Sequence, residues 1–159
     1  MQSTRLVGRV AELGSLTTLM DASGDKRWLP EVIFLGVLYL AAGIVFGALA
    51  GGSASNQMRT AWRLAAWLTS AAAFAAHIWY ELFRLRHSSL TTALHVSLGA
   101  ALGAFGLAVA ANLHAQWAAT GNQRLLALAL VLWPALTAVP AFVVALVTAA
   151  GLARIRRGD

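Results

Sequence analysis

Uncharged, largely apolar runs cover residues 32–51, 64–80, 90–111 and 125–153, and the charged residues collect between them. About 20 helical residues cross the hydrocarbon of a bilayer, so each run is of the right order to span one. The pattern predicts an all-α, polytopic membrane protein with a bundle of four transmembrane helices over residues 30–153. The spans are expected at approximately 30–51, 58–82, 89–113 and 124–153, between a cytoplasmic leader (1–29) and a basic cytoplasmic tail (154–159).

Leu6, Val10, Leu13 and Leu16 recur at helical spacing in the leader, as in a helix lying on a membrane surface. Gly8 and Gly14 weaken that pattern, and an unstructured tail fits the same residues. The leader lacks the unbroken apolar core of a secretory signal, so the first span is expected to direct insertion. Pro30 and Glu31 suit a first helical turn.

The second run differs from the others in carrying a polar line. At 100° per residue, Arg59, Arg63, Ser70, His77, Glu81 and Arg84 fall within an arc of about 60°. The end arginines would reach headgroups whichever way they faced. Arg63, Ser70, His77 and Glu81 are therefore the candidates to line a pathway. His77 and His95 are equally far along the chain from Arg86, so an antiparallel hairpin should bring them to the same depth, with Glu81 one turn from His77. Thr91 and Thr92 lie one turn from His95. His87 reads as part of a basic loop with no special role, and His114 as a headgroup or water contact at the opposite interface.

Two imidazoles and a carboxylate admit three chemistries. A proton relay would use a histidine coupled to an acid in a low dielectric. A divalent metal would take His77, Glu81 and His95 as ligands, with water or a hydroxyl completing four. A b-type haem would need opposed histidines on helices far enough apart for a porphyrin, a spacing the glycine-lined helices disfavour. A His–Glu hydrogen bond that only anchors the hairpin explains the same residues.

Small residues mark the packing faces. Gly43, Gly47 and Gly51 stand four apart in the first span, and Gly99, Gly103, Gly106 and Ala110 form a stripe on the third, so these faces are expected to let backbones approach within the bundle or between subunits. Pro134 and Pro140 interrupt the fourth run, freeing the carbonyls of Leu130 and Leu136. They are expected to kink it and are the candidate hinges. A tandem repeat of two-helix hairpins is a further reading. Ala41-Ala42 with Phe46-Gly47 matches Ala100-Ala101 with Phe105-Gly106, and Trp67 and Trp133 each follow an Asn-Gln pair at Asn56 and Asn122. Ala- and Gly-rich helices also match by chance.

Composition narrows the class. Charged residues are only 11% and hydrophobic residues 59%, against roughly 25% charge in a soluble domain, so lipid rather than a core must cover the surplus. A net charge of +6 could suggest nucleic acid, but the basic residues sit at span ends, where headgroups meet them. No nucleic-acid partner is expected. The absence of cysteine excludes disulfides and thiolate sites, and phosphate-loop, nucleophile-elbow and zinc-protease motifs are missing. Enzymatic activity is therefore disfavoured. The expected function is the handling of a small ion or solute by a transporter- or channel-like inner-membrane protein, as a homo-oligomer. The alternative is an accessory or anchor subunit of a larger membrane complex, and a metal- or haem-dependent membrane enzyme ranks third.

Nine basic residues (Arg5, Arg9, Lys26, Arg27, Arg84, Arg86, Arg154, Arg156, Arg157) flank one side of the predicted spans and three (Arg59, Arg63, Arg124) the other. The bias places both termini and the central connection in the cytoplasm. Single cysteines at Ser53 or Asn122 are expected to react with an impermeant thiol reagent on intact cells, and single cysteines at Ser88 or Gly158 are not. Labelling at Ser88 would invert the topology.

Overall fold

The computed structural model describes residues 28–118 and 121–158. The chain forms two compact units, Met1–Glu31 and Val32–Asp159. Of the first, only the opening turn of a helix at residues 28–31 is described, and the expected interfacial helix of the leader lies outside the described residues. Four helices follow in order: α1 (Trp28–Gly51), α2 (Asn56–Phe83), α3 (Ser89–Trp117) and α4 (Gln123–Gly158). No strand occurs among the described residues.

Three of these helices, α1, α3 and the Gln123–Ile155 part of α4, are long and apolar enough to cross a membrane. They mark the chain as a membrane protein. Helix α2 is as long, at 28 residues, but falls short in apolarity because Arg59, Arg63, His77 and Glu81 lie along it. The polar line that distinguished this helix in the sequence is what separates it from the other three.

Local chemistry sets the helix ends. The Met58 N–H donates to Ser55 Oγ at 3.2 Å and the Thr91 N–H to Ser88 Oγ at 3.2 Å, so serine caps both α2 and α3. Asn122 Oδ1 accepts from the Arg124 N–H at 3.0 Å and caps α4. Gly121 precedes it with φ 91°, a turn conformation that suits glycine. Asn56 and Asn122, aligned in the repeat reading, thus have different roles, since Ser55 and not Asn56 caps α2. The basic tail expected at 154–159 continues α4 through Gly158. Arginine near a helix C-terminus favours that extension.

Pro134 and Pro140 lie inside α4 without ending it, so neither acts as a break in the helix. Between them, Thr137 Oγ1 donates to the Trp133 carbonyl at 2.8 Å. Such back-bonding keeps a hydroxyl satisfied where water is scarce.

Helix α3 is central and touches the other three. Its small-residue face meets α1: a Cβ added at Gly36 would lie 2.6 Å from the Leu102 side chain, one at Gly103 2.6 Å from Tyr39 Cβ and 3.2 Å from the Gly36 carbonyl, and one at Gly106 2.9 Å from Leu40. Gly99 faces Leu35 and Val32, and Gly43 faces Leu107. Residue numbers rise together on both helices, so α1 and α3 run parallel. Gly36 was not picked out by the sequence pattern. Gly47 was, but a Cβ there meets nothing within 4 Å. Beyond Gly43 this face of α1 opens onto a cavity of about 620 Å³ that Arg59 and Arg63 of α2 help to line.

On its other side α3 packs antiparallel to α4. Ala93 and Val96 join Ala145 and Ala149 in a core completed by Ile78 and Leu82 of α2, while at the far end Asn112 Nδ2 donates to the Leu126 carbonyl at 2.9 Å. Ala93, Val96, Ala145 and Ala149 are fully buried, whereas Phe34, Val131 and Val147 are 68–70% exposed on the outer faces, as lipid contact requires. The close α1–α3 approach makes a specific forecast. Gly103→Ala is expected to cost about 1–3 kcal/mol through overpacking against Tyr39 and the Gly36 backbone, and Gly47→Ala to be near neutral. Thermal unfolding in detergent measures both.

Candidate functional site

The site begins with the way α2 ends. The Arg84 and Leu85 N–H groups both donate to the Tyr80 carbonyl, at 2.9 and 3.2 Å, and the His87 N–H donates to the Glu81 carbonyl at 3.1 Å. Arg86 takes φ 57°, in the left-handed region. This loosened last turn folds the chain back over the helix end before Ser88 starts α3. His87 is carried with it.

The carboxylate of Glu81 lies at the centre. It is 0% exposed. Its Oε1 is 3.3 Å from His77 Nε2 on the same helix and 2.9 Å from His95 Nδ1 on α3. Its Oε2 is bonded to His87 Nδ1. An ionised carboxylate only accepts, so all three rings then donate, which fixes the N–H on Nε2 of His77 and on Nδ1 of His87 and His95. The His87 and His95 rings meet edge to face with centroids 5.4 Å apart. Burying a lone carboxylate is costly, and three donors offset that cost.

The structure therefore brings His77, Glu81 and His95 together and adds His87, which the sequence reading had left in the loop. The connection between α2 and α3 is only residues 84–88, and that brevity was the available signal, since a side chain there cannot leave the helix ends. Thr91 is not part of the cluster. Its Oγ1 is 2.9 Å from Ser88 Oγ within the α3 cap. Thr92 is fully buried, and among the described residues its Oγ1 and His77 Nδ1 have no hydrogen-bond partner. His114 is exposed near the other end of α3.

Of the metal-binding geometries, Glu81, His87 and His95 offer three ligand atoms within 4.8 Å of one another. The sequence reading had His77 in place of His87. For haem the fit is poor, because the Glu81 carboxylate sits between His77 and His95, in the gap a porphyrin would fill.

The remaining pathway candidates line cavities rather than the cluster. Ser70 faces a cavity of about 540 Å³ bounded by all four helices, with Tyr39, Trp67, Phe74, Trp133 and Thr137 among its walls. Arg63 borders the cavity of about 620 Å³. The two cavities share Gly43, Ala66 and Trp67. A smaller one of about 140 Å³ lies against His87, Ser88 and Ser89. Pro140 lines the central cavity, and Pro134 lines none of the three.

No family model, curated protein or solved structure matches the chain.

The cluster makes an ordering of stabilities. His95→Phe removes a donor from a buried oxygen and is expected to cost about 1.5–3 kcal/mol, the range for hydrogen bonds to charged groups. His87→Ala is expected to cost less, because the His87 side chain is 34% exposed and water can replace it, against 10% for His95. Thermal unfolding of the two variants tests the order.

Proposed function

We propose that the chain is a four-span inner-membrane bundle that passes a small ion or solute along the polar face of α2, with both termini in the cytoplasm. One observation carries the reading: that face borders two neighbouring cavities that share wall residues, at Arg63 and at Ser70, and ends in a buried carboxylate held by three imidazoles. Ionisable groups at membrane depth mark ion and substrate routes. The crossing of α2 is supported by the parallel packing of α1 and α3. Two parallel spans need a return between them, and 28 helical residues supply roughly 40 Å. The nine-to-three bias of basic residues supports the orientation.

The alternative, an accessory or anchor subunit of a larger complex, is favoured by a different feature. Gly151 meets nothing within 4 Å in the single chain and lines none of the three cavities, leaving a small-residue position on which another subunit or a second copy would pack.

Proteoliposomes carrying reporters for protons and for monovalent and divalent cations separate the two readings. Flux is expected in the parent protein and is expected to fall at least about tenfold in Ser70→Trp, whose indole would fill a ligand-sized cavity, with the unfolding temperature unchanged. No flux in the parent, or equal flux in the variant, removes the path and leaves the accessory reading.

A further inference from the structure

We propose that Glu81, His87 and His95 hold a divalent transition-metal ion of the zinc class, and that this is the ion the path carries. The inference deepens the path reading and rests on it. An anchor for a helical hairpin needs one hydrogen bond across α2 and α3. Glu81 instead gathers an imidazole from its own helix, one from the turn and one from the facing helix.

The geometry suits a small ion. The three ligand atoms lie within 4.8 Å of one another, and His95 Nδ1 is 2.9 Å from Glu81 Oε1. Tetrahedral zinc with bonds of about 2.0–2.1 Å sets its ligands about 3.3 Å apart, so small side-chain rotations close the site. Both histidines present Nδ1 to the same carboxylate, and the metal would take the place of the protons shared there.

The donor set selects the class. Calcium and magnesium prefer oxygen cages of six or more ligands, whereas one carboxylate with two imidazoles suits zinc, cobalt and nickel. Three protein ligands leave the fourth tetrahedral position to water or to an exchanging group, as sites that release their ligand require.

The surroundings complete the argument. His77 Nε2 holds Glu81 Oε1 from within α2 and acts as an outer partner that orients the carboxylate. Its buried Nδ1 has no partner among the described residues. His77 lies one turn from Phe74, a wall of the central cavity. His87 borders the small cavity with Ser88 and Ser89. One ligand of the site thus reaches an open space, and the exposed Arg84 and Arg86 are not among its walls.

The test uses the full chain in detergent, titrated with cobalt chloride and followed by the visible absorption of tetrahedral cobalt, with zinc binding measured by equilibrium dialysis. One ion per chain is expected. His87→Ala and His95→Ala should each weaken binding at least about 100-fold, more than loss of an outer partner does, while His114→Ala leaves it unchanged. His87 lies in the connection, so its variant is expected to keep the fold, as thermal unfolding verifies. Absence of stoichiometric cobalt or zinc binding in the parent, or binding that survives both histidine changes, overturns the site. Zinc uptake into proteoliposomes separates the two levels. Binding without uptake upholds the site and removes the path, whereas flux of another ion without metal binding keeps the path and overturns this inference.

Discussion

A carboxylate withdrawn from water must be met by donors, and Glu81 is met by three. That requirement ties together parts of the chain that have no other reason to meet at one point. His77 follows from the helix itself, four residues earlier on the same face. His95 fixes the depth of α3 relative to α2. His87 fixes the turn, because its backbone N–H and its ring both bond Glu81. The left-handed Arg86 is the conformational cost of bringing that ring back.

The packing around the cluster follows from the same demand. Water must be kept out for the bonds to hold their strength, and the apolar lid is built from Ile78, Leu82, Ala93 and Val96 with Ala145 and Ala149 of α4. Alanines serve here because a larger side chain on α4 would hold that helix away from the carboxylate. Away from the cluster the arrangement loosens. Helix α1 is held to α3 by interlocking glycines, leucines and Tyr39, and it faces α2 across cavities and through the Phe46–Trp62 ring contact. The Glu81 cluster is closed around polar groups, whereas the cavities beside Arg63 and Ser70 open around them. The proposed path, with its binding site in the cluster, draws on both.

Three of the hydrophobic runs were legible in the sequence as helices long and apolar enough to cross a membrane, since lipid permits only helices of sufficient length. The His77, Glu81 and His95 grouping was legible as well, because helical periodicity and a short antiparallel connection set both the face and the depth. The glycine stripe on α3 was readable for the same reason. Its partner on α1 was read one part right: Gly43 packs, while Gly36, which takes the tightest contact, stood outside the four-residue repeat.

The tertiary structure alone decided the rest. Small-residue spacing says which residues permit close approach, but the positions where two helices touch depend on how they cross, so Gly47 faces a cavity and Gly36 a leucine. Periodicity ends with the helix, so no pattern could say that His87 turns back onto Glu81. That is a property of the turn's backbone and of its loosened hydrogen bonds. Whether Pro134 and Pro140 divide α4 was likewise undetermined by residue type, because neighbouring helices and side chains can restore the lost bonds. Here the helix runs through both. Sequence fixed the elements and their polar faces through hydrophobicity and helical period, and the crossing of helices and the path of one five-residue turn decided which of those groups meet.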